Sequence, residues 1–342
     1  MRLPVAAAGV ILAGTFALAA PAQAEGNLVV YCSPQEEWCQ LMVNEFQKAT
    51  GINVSMTRKS SGETFAQIKA EAANPKGDIW WGGTGDPHLQ AAEEDLTLAY
   101  ESPMLKDLND WAVSQHKLAG GKTVGIYMGA LGFGYSADVL KEKGVEGPKC
   151  WADLVKPEYK GEVQVANPNS SGTSYTFLAT MVQILGEEEA FAYLKKLNGN
   201  INQYTKSGAA PAQAASRGET LIGITFQHDL VSTAVASGAP MVVVAPCEGT
   251  GFEVGSMSII KGAPNLENAK KWYDWALTPE AQALAAQANS YQLPSNKNAP
   301  VSEHSPKISE IKLIDYDFAK FGSSDERKRL LSRWDKEIGA AQ

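Results

Sequence analysis

The chain has 342 residues, 44% of them apolar and 20% charged. These shares are near the globular averages of roughly 45–50% and 25%, which excludes chain-wide disorder, and at about 150 residues per domain they predict two folded units. Thirty Lys and Arg against 38 Asp and Glu leave a net charge of −8, and the densest basic stretch is only Arg327-Lys328-Arg329. That balance excludes nucleic acid and anionic membrane surfaces as partners of the whole molecule.

The first 24 residues read as a signal peptide. Arg2 is their one charge, residues 3–20 are nearly all Ala, Val, Leu, Gly and Phe, and Ala22-Gln23-Ala24 is a small-x-small cleavage site. No cysteine follows it, so no lipid anchor is signalled. No later stretch reaches the ~18 apolar residues of a membrane span. The expected product is a periplasmic protein.

The mature part opens with an apolar strand at 27–31 and a helix at 37–50, stopped by Gly51. A strand at 52–57 follows, then a helix opened by Ser60 and Glu63 at capping-box spacing. A strand at 78–81 and a helix at 87–95 complete a strand–helix alternation, the pattern of a parallel sheet covered by helices. Residues 123–135 are Gly-rich and extended. A helix begins at 150–154, a strand spans 162–166, and helices are expected at 175–185 and 187–197. A strand at 221–226, a helix at 229–237 and a strand at 241–245 come next. Amphipathic helices at 266–276 and 279–288 follow, the second with Pro in its first turn. The mixed charges of 325–336 read as a solvated last helix.

The four cysteines, Cys32, Cys39, Cys150 and Cys247, form an even set in an oxidising compartment and allow three pairings. Cys32 and Cys39 flank a strand-to-helix turn and can meet, and Cys150 and Cys247 then pair by default. A zinc site is the alternative, but no CxxC or neighbouring His supports it.

In open α/β sheets ligands bind beyond the carboxyl ends of the strands. The loops there carry Ser33 and Gln35, Ser60 and Ser61, Gly83 and Thr84, then Ser171, Gly172 and Thr173, and Ser207. Each joins hydroxyls, glycine and a helix start, where free N–H groups and the helix dipole favour phosphate or carboxylate. Helix capping alone would demand the same residues at any one turn; several at one end point to an anionic ligand. His228 and Asp229 follow a strand and can donate to and accept from hydroxyls, unless Asp229 merely caps the next helix. Glu248 and Glu253 lie in a Gly-rich turn, and either could face the cleft. Trp80 and Trp81 could stack on a sugar ring or pack in the core. No GxSxG, HExxH, P-loop or nucleotide fingerprint occurs, and four scattered histidines signal no metal. Neither catalysis nor a cofactor is expected.

The order of these pieces resembles the periplasmic solute-binding proteins of ABC importers, in the group that holds ferric-ion, thiamine, phosphonate and sugar-phosphate binders. The motifs are LVVYCSPQEEW at 28–38, GDIWWGGTGD at 77–86, CWADLVKPEYKGEVQVANPNSSGTSYT at 150–176, RGETLIGITFQHD at 217–229 and MSIIKGAPNLENAKKWYDW at 257–275. The resemblance implies an α/β, two-lobed type II binding-protein fold, each lobe a mixed sheet under helices, closing on ligand. It implies one lobe of 25–127 with 248–310 and another of 128–247 with 311–342, with crossings near 125–135 and 242–255. It further implies a monomer that delivers its solute to an inner-membrane permease and ATPase. The ferric binders of this group place adjacent tyrosines where this chain has His228 and Asp229, which argues against a hard ferric ion. The sugar-phosphate binders carry a His-Asp pair there and a carboxylate at the position of Glu253 or Glu248. A hexose phosphate is thus the first expectation, 2-aminoethylphosphonate the second and ferric ion the third. An exported phosphatase is the alternative from another class.

Overall fold

The computed structural model describes residues 26–339, so the expected leader at 1–24 lies outside them. The first half runs β1 (Asn27–Cys32), α1 (Glu36–Thr50), β2 (Asn53–Arg58), α2 (Ser61–Ala70), β3 (Ile79–Trp81), α3 (Gly85–Glu93), β4 (Thr97–Leu98), α4 (Asp110–Leu118) and the 13-residue β5 (Val124–Ser136). Then come α5 (Ala137–Lys143), β6 (Val163–Ala166), α6 (Gly172–Leu185), α7 (Glu187–Asn198), β7 (Ile201–Thr205), α8 (Ala210–Ser216), β8 (Ile222–Phe226), α9 (Gln227–Ser237) and β9 (Met241–Val244). The chain ends with β10 (Phe252–Ile260), α10 (Leu266–Ala276), α11 (Pro279–Gln287), β11 (Leu293–Pro294), α12 (Phe318–Phe321) and α13 (Ser324–Glu337).

The strands follow one hydrogen-bonded path, β2-β1-β3-β10-β5-β8-β6-β7. β1 pairs β2 and β3 in parallel, and β6 pairs β7 and β8 in parallel. β5 joins the two groups. Its first half, from Val124 to Ala130, pairs antiparallel with β10, and its second half, from Leu131 to Ser136, with β8 and β9. Two large cores lie on either side of that division. One gathers Leu28, Val30, Phe46, Trp81, Met257 and Trp272; the other gathers Phe133, Trp151, Leu178, Phe191, Ile224 and Trp334. This is the two-lobed architecture of type II periplasmic binding proteins, in which a strand shared by both sheets crosses between lobes.

Both expected disulfides are present, Cys32–Cys39 and Cys150–Cys247. Three expectations need correction. The segment around Glu253, expected as a turn, is β10, in the middle of the sheet between β3 and β5. Its glycine and serines hide the strand from local pattern, yet the packing demands them: a Cβ on Gly255 would lie 1.9 Å from the Tyr127 ring. The helix expected from Cys150 is a single 3-10 turn, Trp151–Val155. The last helix, α13, is not fully solvated, because Leu330 and Trp334 close the second core and Arg327 is buried with them.

Candidate functional site

Six helices begin at one cleft. The residues that precede α1, α2, α3, α6, α8 and α9 are Gln35, Ser60, Thr84, Ser171, Ala209 and Phe226, and all six line it. The cause is topological: parallel strands hand the chain to helices at the same end of the sheet, so helix N-termini with orphan N–H groups collect there. The wall of one lobe is Ser33, Pro34, Gln35, Arg58, Ser60, Ser61, Gly83, Thr84, Tyr127, Glu253 and Gln292. The facing wall is Ser171, Gly172, Thr173, Gly208, Ala209, Phe226, His228 and Asp229.

Arg58 is the one cationic side chain in this lining. Its Nε donates to the Pro34 carbonyl at 2.9 Å and Nη2 to the Ser33 carbonyl at 3.4 Å, so the guanidinium is held at the cleft wall. Arg58 is not among the residues that the sequence points to. The available signal was position: Arg58 ends an extended run just before a Ser-Ser-Gly helix start.

The polar cluster opposite joins both lobes. His228 Nε2 lies 3.7 Å from Asp229 Oδ1 and 3.6 Å from Glu253 Oε1, all three residues buried. Asp229 Oδ2 accepts from the Thr225 hydroxyl at 2.9 Å, and its Oδ1 accepts from the Gln35 side-chain amide across the cleft. Burial pushes the His228 pKa down, only partly opposed by Asp229, so the imidazole is neutral. Burial, with the Asp229 and Asp86 charges added, pushes the Glu253 carboxyl well up. Desolvation and then the Glu253 and Asp229 carboxyl groups raise the Tyr127 phenol. Burial opposes the charged form of both the imidazole and the Glu253 carboxyl, and their neutral forms offer donors as well as acceptors, which suits hydroxyl groups better than a cation.

Close approach explains two glycines. Gly83 has φ of +88°, and its N–H donates to the Tyr127 hydroxyl at 2.7 Å. On Gly172 a Cβ would sit 1.8 Å from Thr84 Oγ1 of the other lobe. The lobes also bond directly: Ser60 Oγ donates to the Lys206 carbonyl and the Gly62 N–H to the Ser170 carbonyl, each at 3.1 Å.

The structure therefore gathers Ser33, Gln35, Ser60, Ser61, Gly83, Thr84, Ser171, Gly172, Thr173, His228, Asp229 and Glu253 around one space. It leaves out Ser207 and Glu248. Ser207 lies beside the wall, where Gly208 and Ala209 take its place. Glu248 is a cap: its carboxylate accepts from the Trp151 and Ala152 N–H groups at 2.8 Å each, the first turn of the 3-10 helix. Asp229 lies inside the first turn of α9, whose N-cap is Phe226. Trp80 and Trp81 are core residues; the Trp80 indole donates to Ser33 Oγ at 3.0 Å and its ring stacks on buried His88.

A family model described as bacterial extracellular solute-binding protein matches residues 78–321. The chain belongs to that family. This solute-binding protein is similar to the periplasmic binding protein AfuA from Actinobacillus pleuropneumoniae, solved with exogenous fructose-6-phosphate bound. The identity is 45% and the TM-score 0.88, with 92% of this chain and 99% of that one covered. It is 43% identical to an uncharacterised Haemophilus influenzae protein, over 100% of this chain and 99% of the relative. Iron-bound HitA from Pseudomonas aeruginosa shares the fold alone, at 20% identity and a TM-score of 0.76, with 90% of this chain and 98% of that one covered.

Proposed function

We propose that this protein is the periplasmic solute-capturing component of an ABC importer and that its ligand is a sugar phosphate of the hexose phosphate class. The carrying observation is the buried His228–Asp229–Glu253 cluster, set in a cleft otherwise lined by helix N-termini and one arginine. Arg58 and the starts of α2 and α6, with Ser60, Ser61, Ser171 and Thr173, take the phosphate. Gln35, His228, Asp229 and Glu253 take the sugar hydroxyls. The fructose-6-phosphate bound by the 45%-identical structure supports the same reading.

In this proposal the lobes are 25–127 with 248–310 and 128–247 with 311–342; the partition of the two cores between the halves of β5 supports that division. The protein acts as a monomer without cofactor or catalysis, and an inner-membrane permease with its ATPase receives the solute. A 2-aminoethylphosphonate would use the same anion end, with Asp229 and Glu253 facing its ammonium. The raised Glu253 pKa disfavours that second reading, because burial opposes the charged carboxylate that an ammonium calls for. Ferric ion ranks third, since the site offers no phenolate at His228 and Asp229.

The test is calorimetry of ligand-stripped protein with fructose 6-phosphate, 2-aminoethylphosphonate, inorganic phosphate and ferric ion, beside mass spectrometry of ligand released on denaturation. Tightest binding of the hexose phosphate is expected, with no inorganic phosphate produced during the titration. Tight ferric binding with indifference to hexose phosphate would overturn the assignment, and phosphate release would indicate a phosphatase.

A further inference from the structure

Outside the ligand cleft the lobes meet along one face of α3. Asp86, Leu89, Gln90 and Glu93 recur at i, i+3, i+4 and i+7 and so share a side of that helix. Asp86, Leu89 and Glu93 meet the end of the chain or α6. Leu89 packs with Phe318, and a Cβ on Gly322 would lie 2.5 Å from Leu89 Cδ1. Glu93 accepts from the Ser324 N–H at 2.7 Å, and neighbouring Glu94 accepts from the Ser324 hydroxyl at 3.0 Å. Asp86 lies beside Thr176, Tyr316 and Arg327.

Arg327 is the centre of this seam. It comes from α13 and is only 6% exposed. Its guanidinium lies over the Tyr175 ring, 4.4 Å from the centroid, and donates to the Pro168 carbonyl at 3.3 Å, both within its own lobe. Toward the other lobe it lies against the start of α2, where a Cβ on Gly62 would be 3.1 Å from Nη2. It is also the strongest electrostatic support for the Asp86 carboxylate. Arg327 Nη1, Asp86 Oδ1 and both amide atoms of Gln90 are buried without a protein partner. None of these side chains lines the ligand cleft.

We infer that Arg327 is a positioning residue for solute capture: it fastens α13 to the starts of α2 and α3 when the cleft is shut, so the open–closed balance is set in part by a contact the ligand never touches. Apparent affinity is the intrinsic affinity scaled by the fraction of molecules able to close. Weakening the seam should therefore weaken every ligand by the same factor, in contrast to a change at the sugar end of the cleft; a change at the anion end also weakens both phosphates but leaves the ligand-free balance, read by scattering, where it was. The inference rests on the solute-binding reading but not on the identity of the solute.

Two variants test it without sharing a chemistry. Arg327→Met keeps bulk but removes the cation, leaving Asp86 buried without support. Gly62→Val adds no charge and places its side chain against the Asn169 carbonyl, where the Cβ would approach within 2.6 Å. In small-angle scattering of the ligand-free protein, both variants should show a larger radius of gyration than wild type. In calorimetry both should lose affinity for fructose 6-phosphate and for inorganic phosphate by one common factor, roughly 10-fold or more. Adding Asp86→Asn to Arg327→Met, which removes the stranded carboxylate, should recover part of the loss. Circular dichroism melts identify a variant that has merely unfolded, and then Gly62→Val carries the test. Unchanged scattering with unchanged affinity in the folded variants would overturn the inference, as would a loss confined to one ligand. The scattering arm needs no ligand, so a wrong ligand assignment would leave it readable.

Discussion

Asp229→Ala separates the sugar end of the cleft from its phosphate end. Asp229 is 5% exposed and lies at the junction of the lobes, with the Thr225 hydroxyl at 2.9 Å on Oδ2 and the Gln35 amide on Oδ1. Each oxygen has a second lone pair for a ligand hydroxyl. A hydrogen bond to a charged group contributes about 1.5–3 kcal/mol. Losing one or two such bonds predicts a fall in hexose phosphate affinity from about 10-fold to more than 1000-fold. Truncation also strips Thr225 and Gln35 of their acceptor, which adds to the loss. Asp229→Asn retains one acceptor and should fall between wild type and alanine. Inorganic phosphate reaches only the helix starts and Arg58, so its affinity should stay within about twofold. Calorimetry at fixed ionic strength reads both ligands on one preparation. An equal loss for the two ligands would refute this division of the cleft.

The anion end should behave in the opposite way. Ser171→Ala and Thr173→Ala should weaken fructose 6-phosphate and inorganic phosphate alike, by about 10-fold or more for each hydroxyl bond to the charged phosphate, and Arg58→Met should cost both ligands at least as much. Calorimetry in which any of them spared inorganic phosphate would contradict the assignment. For Asp86, burial outweighs the pull of Arg327, Thr176 and Tyr316 and pushes the carboxyl from 3.8 up to about 7. A carboxyl raised on folding contributes stability that is complete below its unfolded pKa and is lost as pH rises through the folded one. Asp86→Asn should therefore gain on wild type in melting temperature as pH goes from about 4 to about 7, by several degrees, and level off above; a pH-independent difference in scanning fluorimetry would count against it. The Cys150–Cys247 bridge spans 97 residues, so Cys150→Ser with Cys247→Ser should lower stability by about 2–5 kcal/mol in urea melts, more than loss of the seven-residue Cys32–Cys39 link.

Much of this protein could be read without coordinates because its information is local. Helix periodicity with Gly51 as a stop located α1, and apolar runs located β1, β3, β6 and β8. Ser60 and Glu63 announced the start of α2, where the Ser60 N–H meets Glu63 at 3.4 Å. Once the strand–helix alternation was recognised, the rule that ligands gather at strand carboxyl ends chose most of the cleft loops. Each of these inferences needs only residues within a turn or two of one another.

What stayed hidden depended on partners far away in the chain. Of Glu248 and Glu253, two acids in one glycine-rich stretch, the first caps a turn near residue 151 and the second faces His228. Nothing within the stretch distinguishes them, because the deciding contacts cross between segments about 100 and 25 residues away. β10 was missed because a strand with neighbours on both edges can be built from Gly255, Ser256 and Ser258, whose smallness answers the Tyr127 ring and the turns it packs under. Polar β7 lacked the alternation that would mark a half-buried strand. Arg327 looked like one more surface charge in a charged helix, until tertiary packing placed its guanidinium on the Tyr175 ring and against the other lobe. Periodicity reports which face of an element is apolar. Which charge the fold then buries, and against what, is decided only when the two lobes are brought together.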